Sequence, residues 1–172
     1  MTELKINQLP KYDMSDIPTD CCPRFKPEGW DDKLLHFKDK LFVKVTTRSL
    51  FYFPINMGSV FKNVLNAIQD AHAVDMEQFL ILSHDISPWK AEHFFAVTKE
   101  VPGQEVVHMN GDFMTHVFEG PYKEAPNWYK EMQHIVEKAG KKVEEIYLFY
   151  TTCPKCSKYY GKNYVVGFGK TG

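Results

Sequence analysis

The sequence predicts an α+β fold in which duplicated strand-helix-strand-strand units form one antiparallel sheet with two helices packed on one side. Three observations predict it. Short segments alternate β-branched and aromatic residues, as half-buried strands do. Two longer segments carry apolar stripes of helical period. The succession then recurs at an offset of about 67 to 70 residues, with Phe61 falling near Trp128, Leu80 near Tyr147 and Phe94 near Tyr164.

Residues 1–40 read as an irregular N-terminal arm packed on the body, because Pro10, Pro18, Pro23 and Pro27 interrupt any helical period. Phe25 and Trp30 are available to anchor that arm. Residues 41–172 read as the folded domain. Leu41 to Phe53 is the first strand. Val60, Phe61, Val64, Leu65 and Ile68 follow helical spacing, with Asn56 as a candidate N-cap. Phe79 to Leu82 and Phe94 to Thr98 are strands joined through a turn at Ser87-Pro88.

In the second half Phe113 to Phe118 is a strand. Ala125, Trp128, Met132, Ile135, Val136 and Ala139 form a helical stripe. Pro126 suits the first turn of that helix and Gly140 its C-terminal cap, so the helix is expected to begin near Glu124. Strands follow at Ile146 to Tyr150 and Tyr164 to Phe168.

Composition excludes several classes. The net charge of −1 leaves no basic footprint for nucleic acid. Lys123, Lys130, Lys138, Lys141 and Lys142 are interleaved with acids, which is the pattern of a solvated face. No apolar run reaches the roughly 18–20 residues of a membrane span. Met1 to Lys11 lacks the apolar core of a secretory signal, so a cytoplasmic protein is expected. The aromatic content of 15% suits a dense core or a stacking pocket.

The most informative stretch runs from Gly111 to Val166. It contains Thr115-His116-Val117-Phe118-Glu119-Gly120-Pro121-Tyr122, then Trp128-Tyr129 on a helix, then Gly140, then Glu145-Ile146-Tyr147. This constellation resembles the second half of the GyrI-like domain of the SOUL/GyrI superfamily, the bacterial effector-binding domain associated with multidrug recognition. The resemblance covers about Leu41 to Lys170 and leaves the arm outside it. It implies a cleft for an amphipathic or aromatic, often cationic, small molecule. Glu145 matches the acidic position of that cleft, and Tyr122, Trp128, Tyr129 and Tyr147 match its aromatic positions. Trp89, in the hairpin turn of the first half, is a candidate second wall.

Physical chemistry supports those roles independently. Aromatic faces attract organic cations by roughly 0.5–2 kcal/mol each, and a carboxylate supplies the opposing charge. An acid part-buried among rings is expected to have a raised pKa, which also suits general acid–base work. Some GyrI-like proteins are hydrolases of reactive cyclopropane-bearing compounds. Glu145 is therefore an anchor in the binder reading and the acid–base group in the hydrolase reading. A third reading is an inhibitory module that binds a protein partner. Each residue has a plainer alternative: Trp128 as core, Glu145 as a solvent-facing acid, Tyr122 as a turn cap. Regulators with this domain usually carry a preceding helix-turn-helix, which the proline-broken arm does not provide.

Cys153-Pro154-Lys155-Cys156 has the two-residue gap of a zinc knuckle, and Cys21-Cys22 supplies the other two thiols. A structural zinc on Cys21, Cys22, Cys153 and Cys156 would fasten the arm to the loop after Tyr150, although the GyrI-like domain itself requires no cofactor. A redox pair and plain reduced thiols are the other readings. Thioredoxin-like chemistry is disfavoured, since the sequence leaves room for one turn of helix at most before Tyr164. Ser83-His84-Asp85 is not a triad, because consecutive side chains cannot converge. His84 and His93 can approach each other across their hairpin. Gly167-x-Gly169 lacks the third glycine and following helix of a dinucleotide loop.

Overall fold

A computed structural model describes residues 2–20 and 22–172. The chain is α+β, with three α-helices and mostly antiparallel strands among those residues. It divides into two compact units. One is Asp39–Asn110; the other joins the chain up to Lys38 with Gly111–Gly172. Both boundaries fall inside long strands, β2 (Lys33–Leu50) and β6 (Val106–Glu119). The first strand therefore starts earlier than alternation from Leu41 suggests. Among the described residues, no helix is long and apolar enough to cross a membrane.

In the Asp39–Asn110 unit, β2 continues into a short β3 (Phe53–Pro54), then α1 (Met57–Asp70), β4 (Ile81–Ser87) and β5 (Lys90–Ala96). β5 pairs antiparallel with both β2 and β4. The helix buries Val64 and Ile68, four residues apart, against Val43 and Phe95. Burial of such a side chain contributes about 1.5–3 kcal/mol. Asn56 occupies the N-cap position of α1, but its side chain caps nothing there. Its Oδ1 instead accepts the Arg48 N–H at 2.7 Å, serving β2 rather than the helix.

In the other unit, a two-residue β1 (Thr2–Glu3) runs parallel to the start of β2. β6 leads into α2 (Ala125–Lys138), β7 (Glu145–Tyr150), α3 (Pro154–Tyr160) and β8 (Tyr164–Lys170). β8 is central, pairing antiparallel with β6 and β7. α2 lies directly on it, and two glycines permit the approach. A Cβ at Gly167 would come within 2.5 Å of Met132, and one at Gly169 within 2.7 Å of Val136. The glycines that failed as a nucleotide loop thus have a packing role. Gly140, just past α2, takes a left-handed φ of 79°, the cap conformation its position predicts.

Alternation along β6, β7 and β8 gives this sheet two faces. Phe118, Ile146, Leu148 and Val165 pack with Trp128 and Met132 on the α2 side. Phe113, Tyr147 and Phe168 point the other way. The arm covers that second face. Trp30 is only 3% exposed, with its ring 5.3 Å from Phe149 and 6.2 Å from Phe168. The Thr115 hydroxyl on β6 donates to the Trp30 carbonyl and accepts the Lys33 N–H at 3.0 Å.

Candidate functional site

Where β1 lies beside β2, the residues Glu3 to Ile6 and His36 to Lys38, with Gly111 and Asp112, line a groove of about 1000 Å³. His36 sits in its wall between two carboxylates. Its Nδ1 is 2.6 Å from Asp112 Oδ1, a hydrogen bond, and its Nε2 is 2.8 Å from Glu3 Oε1. The Glu3 oxygen is within ion-pair distance of Nε2, which is itself buried. The Asp112 hydrogen bond raises the His36 pKa; partial desolvation opposes it, and the Asp112 charge and the neighbouring Glu3 carboxylate add to it. The imidazolium is accordingly favoured on this wall, with Nδ1 taken up by Asp112 and Nε2 buried beneath the exposed Glu3 carboxylate.

The residues that the sequence singles out are distributed over both faces of the sheet. Trp128 is buried on the α2 side, stacked 5.8 Å from Phe118, and Tyr129 packs at the edge of the same cluster. Tyr122 is half-exposed beside Tyr150 at 5.7 Å, and its hydroxyl donates to the Thr152 carbonyl at 3.5 Å. Glu145 and Tyr147 point to the opposite face, where Tyr147 lies 6.3 Å from Phe113. Glu145 is half-buried, with Oε1 accepting its neighbour Ile146 N–H at 3.1 Å. The sheet thus brings Glu145 together with Tyr147 and separates both from Trp128. In the Asp39–Asn110 unit, Trp89 is 51% exposed with its ring 4.8 Å from Phe51.

Three thiols form a second constellation. The Sγ atoms of Cys22, Cys153 and Cys156 lie within 4.8 Å of one another, a cluster that could hold a metal. Cys21 lies outside the described residues. Burial raises the Cys156 thiol pKa, but hydrogen bonding with Thr19 and the neighbouring cysteines outweighs it and lowers the value to about 7. α3 is longer than one turn, ending at Gly161 with a left-handed φ of 73°. Its seven residues still differ from the long helix that a thioredoxin-like motif opens.

A family model described as bacterial hydrolase matches residues 12–171. The chain belongs to that family. No curated protein matches it. The match takes in His36, Asp112, the three described thiols, and most of the irregular arm, so in the bacterial hydrolase family the arm is part of the shared sequence rather than an appendage.

Sequence reasoning missed the His36 pair. Asp112 is 76 residues away, and no local spacing announces the contact. It also missed the partners of His93, whose ring nitrogens Nδ1 and Nε2 lie 2.7 Å from Ser83 Oγ and 2.8 Å from Thr47 Oγ1. A signal existed for half of this: a hairpin turning at Pro88-Trp89 sets Ser83 opposite His93.

Proposed function

We propose that this member of the bacterial hydrolase family hydrolyses a small amphipathic molecule held in the groove beside β1 and β2. The observation that carries the reading is the His36–Asp112 hydrogen bond in the groove wall. In this reading the exposed Glu3 side chain swings off the buried His36 Nε2, protonated His36 gives that proton to the leaving group, and the Glu3 carboxylate accepts a proton from the attacking water. Asp112 is a positioning residue that holds the ring and favours its charged form. The apolar side chains of Leu4 and Ile6 supply the surface for the substrate's apolar part.

A second reading keeps Glu145 as the anchor of an aromatic or cationic ligand, and as the acid–base group if that ligand is turned over. It is favoured by a half-buried carboxylate on the same strand face as Tyr147 and Phe113. The GyrI-like resemblance belongs with this reading. An element order of strand, helix, strand, strand around α1, repeated around α2 with α3 inserted before the last strand, supports the duplicated plan. A protein cytoplasmic in location, with 41–172 as the ligand-binding part and 1–40 as its arm, completes it.

One experiment separates the two. The full chain is incubated with activated aryl esters, lactones and strained cyclic electrophiles, and products are followed by mass spectrometry. Loss of turnover in His36→Gln, with Glu145→Gln unaffected, supports the His36 site. Retained turnover in His36→Gln with loss in Glu145→Gln overturns it in favour of the second reading. Absence of turnover in the unmodified chain across the panel, with compounds retained unchanged, rejects hydrolysis and leaves binding.

A further inference from the structure

We propose that Cys22, Cys153 and Cys156 are ligands of a structural zinc ion that fastens the N-terminal arm to α3. The argument begins with distance. Cys22 Sγ and Cys153 Sγ are 3.8 Å apart. Two sulfurs each about 2.3 Å from one tetrahedral zinc are separated by about 3.8 Å, whereas a disulfide holds them at about 2.05 Å. The third sulfur, Cys156, is within 4.8 Å of both and fully buried. The Cys22–Cys153 separation is that of two corners of a metal tetrahedron rather than of a bonded pair, and the third sulfur lies near both.

The local backbone explains why the thiols converge. Cys153 occupies the N-cap position of α3 in extended conformation, and Cys156 lies in the helix's first turn. The Ser157 N–H donates to the Cys153 carbonyl at 2.9 Å, closing that turn. This is the geometry by which a Cys-x-x-Cys segment presents both sulfurs to one ion. The arm is turned to meet them. The Arg24 N–H donates to the Asp16 carbonyl at 3.0 Å, and the Tyr160 hydroxyl donates to the Cys22 carbonyl at 2.6 Å.

Contacts around the sulfurs match those that orient metal ligands. The Thr19 hydroxyl lies 3.3 Å from Cys156 Sγ, and the Arg24 guanidinium lies over the Tyr160 ring at 4.9 Å. Such outer contacts fix thiolate direction before the ion arrives. Soft thiolates select zinc among the common divalent ions that hold a tetrahedral geometry without redox chemistry. Three sulfurs fill three of the four positions and leave one for a further donor.

The role is structural. Among the described residues, 4–20 and 22–26 contain no helix or strand. Their loop returns to the sheet through Phe25 and Trp30, and a zinc ion would cross-link residue 22 to residues 153 and 156. It deepens nothing in the hydrolase reading and stands without it.

The test uses the full chain expressed in zinc-supplemented medium and purified without chelator. Elemental analysis is expected to give near-stoichiometric zinc, and cobalt exchanged into the same chain is expected to show a sulfur-to-cobalt charge-transfer band. Cys22→Ser and Cys153→Ser should each lose both signals. Since either variant can fail to fold, a second readout uses the unmodified chain: chelation should open Arg24 and Lys26 to trypsin while the sheet stays intact. Zinc-free protein with no charge-transfer band on adding cobalt would overturn the proposal. A Cys22–Cys153 disulfide in protein freshly isolated from reducing cells would overturn it as well.

Discussion

His93 on β5 faces Ser83 on β4 as a register pair, with Ser83 Oγ 2.7 Å from His93 Nδ1. Thr47 on β2 completes the arrangement at Nε2, so one buried imidazole ties three strands together through both nitrogens. A neutral ring does this with one donor and one acceptor, each hydroxyl taking the complementary role. Burial, with the nearby His84 charge, lowers the His93 pKa to about 4.

The stability of the protein should therefore fall in acid. The unfolded chain protonates His93 near the ordinary imidazole pKa of about 6.5, while the folded chain resists until about 4. The unfolded state binds more protons across that window, so stability drops as pH falls through it. The loss attributable to His93 is on the order of 3 kcal/mol. Urea unfolding from pH 7 to pH 4 measures it; a flat profile, or the same slope in His93→Gln, would reject the assignment.

His36 has the opposite sign. Its folded pKa is raised, first by the Asp112 hydrogen bond, so its ion-pair stabilisation is complete below the unfolded value and is lost as pH rises through the folded one. If its protonated form is the acid, kcat/KM should fall on an alkaline limb lying above about 6.5. Asp112→Asn should move that limb downward, and His36→Gln should reduce kcat by about 10²–10⁴-fold. A pH–rate series on all three proteins decides it; an unmoved limb in Asp112→Asn would count against the pair.

Gly167 tests the contact between α2 and β8. An added Cβ meets Met132 Cγ and Sδ at 2.5 Å and the Phe118 ring at 2.9 Å, all inside a packed core. Gly167→Ala should cost about 1–3 kcal/mol as an overpacking change. Gly58, whose Cβ would meet nothing within 4 Å, is the control in α1. There, Gly58→Ala should be neutral or stabilise, since alanine is the better helix former by about 1 kcal/mol. Thermal melts of both variants give the comparison.

Trp30 tests whether the arm is part of the folded core. Its ring packs on Phe149 and Phe168 and also neighbours Tyr12 at 6.1 Å and Phe25 at 6.2 Å. Trp30→Ala should cost about 3–5 kcal/mol. A loss below 1 kcal/mol in denaturant unfolding would mean that the arm separates from the sheet before the unit unfolds.

The longer elements, α1, α2 and the strands flanking them, were legible in the sequence because period and punctuation are local, whereas α3 and the two-residue β1 and β3 were not. The α2 stripe, Pro126 near its start and Gly140 past its end define that helix without reference to anything outside it. The hairpin turn at Pro88 likewise fixes which residues of β4 and β5 face one another. The spacing of Cys153 and Cys156 marks a pair of thiols on one short segment, open to metal, redox or plain reduced readings.

Tertiary structure decided what the local pattern cannot encode. Alternation assigns Glu145 and Tyr147 to one face and Ile146 to the other, but only packing shows that α2, with Trp128, covers the Ile146 face. Arm residues broken by prolines carry no period, yet Trp30 is among the most buried side chains because an aromatic sheet face awaits it. Asp112 reaches His36, and Cys22 reaches Cys153, across 76 and 131 residues respectively. Contacts of that separation follow from how strands pair and loops close, not from neighbouring side chains. The sequence by itself determined the longer elements and the residue types available for chemistry; the fold chose which of them meet.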